Sequence, residues 1–312
     1  MTTAHTANTA KKSAKTSKNK VSKYSKRKVD PAFYWMTVPA AILVSIFLYW
    51  PFLQGAAYSF TNSQGYGDFK IIGLKNYIAM FQDSRVGHAY LFTILIAVLI
   101  TLGTNILGMF LAVLLNSKIA FKNGFRAIFF IPYTLSVLVI GYVFKYIFMT
   151  PLPALGQALH IDWLSTSMIS NPDLAWFPIV FLSIWQGVAY STLLYLAGLQ
   201  TIDNEIYEAA AIDGVNAWQN FWQITFPLIG PFFTINMVLS LKNSLGAFDQ
   251  IMALTKGGPA QSTESISYLI YNNGMSGGQF GFQSANAVIF FIVIVVISVA
   301  QMTITGKKEE QL

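Results

Sequence analysis

The chain has 312 residues, 54% of them hydrophobic and only 11% charged, where a soluble domain carries roughly 25% charged residues. This excludes a single soluble globular domain and points to an integral membrane protein. There is no cysteine, which excludes disulfides and thiolate metal sites.

The net charge of +7 is concentrated, since residues 11–28 (KKSAKTSKNKVSKYSKRK) hold nine of the twenty Lys and Arg. With Ser, Thr and Ala between the charges, residues 1–30 cannot bury a core and are expected to form a disordered basic tail. Beside a membrane segment such a tail reads as a cytoplasmic flank that fixes topology near anionic lipid, rather than as a nucleic-acid site. The apolar run from Phe33 to Leu53 is long enough to span, and no small-residue cleavage site follows it, so it reads as an uncleaved anchor.

Six segments can cross about 30 Å of hydrocarbon: 33–55, 89–115, 125–149, 174–199, 228–248 and 286–305. The expected architecture is an all-α permease domain over 31–306, followed by a short cytoplasmic tail at 307–312. With both termini inside, fourteen Lys and Arg fall on the cytoplasmic side and four (Lys70, Lys75, Arg85 and Lys256) outside, which fits the positive-inside rule. Lys145 and Lys242 lie near span ends, where they can snorkel. His5, His88 and His160 are too dispersed to form a metal site.

The cytoplasmic stretch 201–226 departs from the charge rule, with four acids from Asp203 to Asp213 and no Lys or Arg. Asp203 is expected to cap a helix whose first turn holds Glu205. Ala209, Ala210 and Ala211 continue that helix, and Gly214 ends it in the left-handed conformation. Asn216 then caps a second helix, with Trp218, Phe221, Trp222 and Thr225 on one face. Pro227 is expected to end it and open the fifth span.

This pattern, E-A-A, three residues, G, nine residues, then I-x-L-P, resembles the coupling loop of ABC importer permeases. Glu208, Ala209, Ala210, Gly214, Ile224 and Pro227 match it, while Phe226 replaces the usual Leu and Ala211 a frequent Arg. The likeness extends from Phe33 to the last span, through GLKNYIAMF, FRAIFFIP, SIWQGVAY, FDQIMALTKGGPAQSTES and FGFQSANAV. The chain is thus similar to the maltose-permease-type subunit of carbohydrate importers. The resemblance implies a six-helix, type I ABC importer permease fold and no enzyme activity or cofactor in this chain. It also implies a second, homologous permease, a dimeric ATPase that carries ATP and Mg, and an extracellular sugar-binding protein. In that family the loop is a coupling helix seated on the ATPase, with Glu208 the expected charged contact.

Sugars are held by aromatic faces and by hydroxyl and amide groups. The fourth span offers Trp185, Gln186, Gly187 and Tyr190, and the fifth Ser240, Asn243, Ser244 and Phe248. The resemblance places the sugar path on these stretches. Gly187, Tyr190 and Ser240 match it in type, whereas Gln186, Asn243 and Ser244 depart from it. Alternatively these groups serve only to bond helices together or to bond to the partner permease. Two other classes compete. A secondary carrier would keep carboxylates in its spans, and a membrane enzyme would carry a catalytic motif; the sequence shows neither. An importer of another solute, such as glycerol-phosphate, would call for basic residues on the path, where only Lys145 and Lys242 are candidates.

Overall fold

The computed structural model describes residues 31–117 and 121–309. The basic tail 1–30 and residues 310–312 therefore lie outside the described residues. The described residues divide into two compact units, with the boundary between Gln54 and Gly55.

In the first unit α1 (Pro31–Val44) passes through a π-helical turn at Ser45–Tyr49 into α2 (Trp50–Tyr58), whose end begins the second unit. The run Trp35–Tyr58 is apolar and long enough to cross a membrane. The π turn ends two residues before Pro51. A proline inside a helix has no N–H to donate and pushes against the carbonyl four residues back, and a widened turn accommodates both.

In the second unit a short helix, α3 (Lys75–Gln82), precedes the long α4 (Ser84–Asn116). Asp83 caps α4, its carboxylate accepting from the Arg85 and Val86 amides at 2.8 and 3.4 Å. The buried stripe Ala89, Thr93, Ile96, Ile100, Thr104, Gly108 and Ala112 recurs every three or four residues, the period of a helix face. That face packs along α8 (Trp176–Leu199) so closely that a Cβ on Gly108 would lie 2.6 Å from Ser191 Cβ. Small residues permit such approaches between spans.

The stretch 125–149, expected as one span, is broken. α5 (Lys122–Thr134) ends at Leu135, which is extended, and α6 (Val137–Met149) restarts after Ser136 at φ −60°, ψ 126°. Pro132 removes one hydrogen bond of the last turn of α5, and Ser136 adopts the conformation of an N-cap. The apolar crossing runs instead from Val137 through α7 (Pro151–Ala158). α8 (Trp176–Leu199) is unbroken.

The next segment comprises α9 (Asn204–Ile212), α10 (Ala217–Asn220), a π turn at Phe221–Thr225, and α11 (Phe226–Leu228). α12 (Gly230–Leu245) follows, bent by 73° from the run Ala217–Leu228. Pro227 therefore does not end the helix as expected. As at Pro51, a π turn ends two residues before the proline, and the bend falls at the fully buried Ile229. Short helices α13 (Asp249–Leu254) and α14 (Ile266–Tyr271) lead to α15 (Phe280–Glu309).

One apolar core joins α4, α6, α8, α13 and α14 through Ile96, Phe148, Ile179, Leu182, Ile251 and Tyr268. Another, built on Met109, Ala112, Tyr195 and Ile229, packs against Phe221, Phe226 and Phe233 and so seats the 201–226 segment. At the opposite end Arg85 grips Glu264 with two bonds of 2.7 and 2.8 Å, which ties the start of α4 to the loop before α14.

Candidate functional site

The segment between α8 and α12 takes the local form that its residues dictate. Asp203 accepts from the Glu205 amide at 3.1 Å. At the far end of α9 the Val215 and Gly214 amides bond back to the Ala210 and Ala211 carbonyls, with Gly214 at φ 75°. This is the paired closure that a glycine in the left-handed region permits. Asn216 and Gln219 cap each other's backbone amides at 2.9 and 3.1 Å, a reciprocal N-terminal box.

The six residues of the E-A-A pattern divide by burial. Ala210 is buried and Ile224 and Pro227 are half-buried, so these hold the segment to the bundle. Glu208, Ala209 and Gly214 are exposed, as are Ala211 and Ile212. Glu208 has no hydrogen bond or ion pair among the described residues. Ile212 is 86% exposed and adds an apolar group to this acidic outer face, one that the sequence pattern does not single out. Tyr207, also unforeseen, meets the Thr225 hydroxyl at 3.2 Å and ties α9 to the π turn. The expected one-sided aromatic face is split, because the wide turn shifts its register. Phe221 and Thr225 turn inward, while Trp218 and Trp222 remain exposed and pack edge to face at 5.7 Å.

Between the membrane helices lies a cavity of about 410 Å³. Six of the eight residues expected on the substrate path line it: Gln186, Gly187, Tyr190, Ser240, Asn243 and Ser244. On α12 the lining positions 236, 239, 240, 243 and 244 share one helical face. Trp185 and Phe248 are not brought to it. Trp185 points off the Gln186 side of α8 and packs on Phe144 at 5.2 Å. Phe248 lies beyond the end of α12, so the periodicity no longer applies, and its ring packs against Tyr268 and Tyr271.

The helix break at Leu135 contributes Tyr133, Leu135 and Val137 to the wall. Tyr133 stacks on Tyr190 at 5.6 Å, with the rings 25° apart. Pro132 and Ser136 were the sequence signals for this break. Behind the wall, Asn105 donates to the Ser240 hydroxyl at 2.7 Å and accepts from Tyr195. Ser191 donates to Asn236 at 3.2 Å. Gln186 reaches the Pro132 and Leu135 carbonyls only at 3.4 and 3.5 Å. Lys242 is exposed and Lys145 half-buried, and neither lines the cavity. Among the described residues no group of His, Asp and Glu is placed to hold a metal ion.

Apolar crossings around a hydroxyl- and amide-lined cavity, with an exposed acidic helix–turn–helix beside one of them, define a membrane permease subunit. The chain belongs to the family of binding-protein-dependent transport system inner membrane components, which matches residues 104–309. It is 42% identical over 281 residues to the multiple sugar-binding transport system permease protein MsmF of Streptococcus mutans, covering 88% of this chain and 97% of the relative. It is 34% identical to a probable starch degradation products transport system permease protein, AmyD of Thermoanaerobacterium thermosulfurigenes, over 89% and 96% of the two chains. In fold it is similar to a chain of a bacterial ABC transporter that imports the acidic polysaccharide alginate, with a TM-score of 0.76, 22% identity and coverage of 89% and 96%. The fold is that of type I ABC importer permeases.

Proposed function

We propose that this chain is one permease subunit of an ATP-driven carbohydrate importer. Its 410 Å³ cavity forms part of the sugar path, and its 201–226 segment is the point of coupling to an ATPase. The observation that carries the reading is the way one bent element joins the two. The exposed acidic α9, the seated π turn and the 73° bend at Ile229 lead directly into α12, which supplies Ser240, Asn243 and Ser244 to the cavity wall. A push on α9 would thus be passed to the wall by a rigid, capped segment. The relatives' names support sugar as the cargo.

The remaining parts of the assembly belong to this proposal. A second homologous permease completes the path, and a dimeric ATPase carries ATP and Mg. An extracellular binding protein delivers the sugar. Both termini are cytoplasmic, which puts α9 on the ATPase side. Glu208, Ala209 and Gly214 form the outer contact, with Ala210, Ile224 and Pro227 behind them. The acids of this face call for a basic cleft on the ATPase.

Because the chain has no cysteine, Ile212→Cys provides a single attachment point for a photo-crosslinker in the complete transporter. The expected product joins this chain to the ATPase, with a yield that changes when ATP is added. A yield of ATPase adduct no higher than from a cysteine at Lys70 would sink the docking assignment.

A further inference from the structure

We infer that the hydroxyl chain Tyr207–Thr225–Asn220 is a latch that makes α9 and α12 move as one body. Tyr207 is then a positioning residue for transport, with no part in holding the ATPase. The inference rests on the coupling reading above and names the bonds that carry it.

α9 is lightly seated on the bundle. Ala210 is its one buried residue. Between α9, α10 and the ends of α4 and α8 lies a void of about 250 Å³, lined by Val113, Leu199, Tyr207, Asn220 and Thr225 among others. Packing on that side therefore does not lock the helix in place. The turn that follows α9 is capped, but its bonds face water. Gly214 stands in open space at φ 75°, and the Asn216–Gln219 box is exposed, where solvent competes for each hydrogen bond.

The tie that bypasses this turn is better shielded. Thr225 is 7% exposed, and its hydroxyl donates to Asn220 Oδ1 at 3.3 Å. With its proton committed there, it accepts from the Tyr207 hydroxyl, 3.2 Å away. The chain thus runs one way, from Tyr207 through Thr225 to Asn220, and such chains strengthen where water is excluded. The π turn builds it, because a turn widened to i→i+5 brings residues five apart, here 220 and 225, onto one face. The Thr225 carbonyl accepts the Ile229 amide at 3.1 Å, and the Ile229 carbonyl accepts the Phe233 amide of α12 at 3.0 Å. Tyr207 is therefore joined to α12 across the 73° bend by consecutive bonds. The Tyr207–Thr225 distance exceeds the usual O–H···O separation of about 2.7–2.8 Å. An inward push on α9 takes up that slack, with the void giving it room, and is then passed to α12 without loading the exposed turn.

The test uses the complete transporter in proteoliposomes, with its other subunits free of cysteine. Spin labels at Ile212→Cys and Lys242→Cys, both exposed positions, report the distance from α9 to α12 without nucleotide and after trapping with ATP and vanadate. In the wild-type background that distance should be the same in both states. Tyr207→Phe and Thr225→Val, which remove only a hydroxyl or its equivalent, should each let it shift or broaden by several ångströms while the ATPase still co-purifies. Uptake per ATP hydrolysed should fall about threefold or more in both, read with whichever of glucose, sucrose, maltose and maltotriose the wild type takes up fastest. Thr225→Ser keeps the hydroxyl and should behave as wild type. An unchanged distance or an unchanged uptake per ATP in both variants would overturn the inference, as would a wild-type distance that changes on trapping. Loss of ATPase co-purification in the two variants would also overturn it, by making the bonds part of the docking face. The coupling reading fails separately, if the Ile212→Cys crosslinker gives no excess of ATPase adduct.

Discussion

On the proposed reading, Glu208 is the exposed side chain that carries the contact with the ATPase. It sits on α9 with Ala209 and Ile212 also exposed, and it makes no hydrogen bond or ion pair among the described residues, so its replacement removes no internal support seen there. Glu208→Lys should therefore insert and fold as wild type does, and fail only where it meets the ATPase. A charge-assisted contact is worth about 1.5–3 kcal/mol, so ATPase co-purification and substrate-stimulated hydrolysis should fall about tenfold or more. Wild-type values of both would remove Glu208 from the interface. On the cavity side, Tyr190→Ala removes one ring of the Tyr133–Tyr190 stack, and Ser240→Leu removes the hydroxyl that Asn105 donates to. Both variants should assemble and lose most sugar uptake. If both transported a full panel of sugars at wild-type rates, the path would have to run elsewhere. The polar residues of this wall were readable in the sequence because Gln186, Tyr190, Ser240 and Ser244 stand out inside otherwise apolar spans. Thr104 and Asn236 were not, since a Thr or an Asn in a long apolar run looks the same whether or not its hydrogen bonds are made.

Among the elements, the 201–226 segment was the most legible, because its signals are local. Asp203, Gly214 and Asn216 each act on atoms within five residues, and each does so where the sequence implies. Gly214→Val should disturb this turn, since φ 75° is strongly disfavoured for a β-branched residue. There is open space around Gly214, so the loss would come from backbone conformation. ATPase association should weaken, and Gly214→Asn, which tolerates this region better, should retain more of it. The helix break at Leu135 and the π turns before Pro51 and Pro227 were less legible. Each depends on how the helix finds room for a proline, by ending, widening or bending, and packing against other elements decides which. The Arg85–Glu264 pair was hidden for a related reason, since 179 residues separate its partners. Glu264→Ala should lower stability by about 1–3 kcal/mol, less than the loss of a fully buried pair, because the Arg85 side chain is 35% exposed. A thermal melt in detergent would register this as a drop of a few degrees, and an unchanged melt would show that the loop before α14 is held by its other bonds.

At the scale of the whole molecule, composition and span count gave the class, and the E-A-A motif gave the family. The basic tail should matter least to transport. Deleting residues 2–20 leaves Lys23, Lys26, Arg27 and Lys28 beside the first span, enough to hold that end inside, so uptake should persist in the truncated chain. Loss of uptake in a normally inserted truncation would give the tail a role beyond topology. The central claim is that cargo moves through the 410 Å³ cavity at the expense of ATP bound elsewhere. The most direct test is sugar uptake into proteoliposomes that hold the complete transporter and its binding protein, measured with and without enclosed ATP and with proton and sodium gradients imposed or collapsed. Uptake should require ATP and be indifferent to both gradients; uptake that follows a gradient in the absence of ATP would contradict the account.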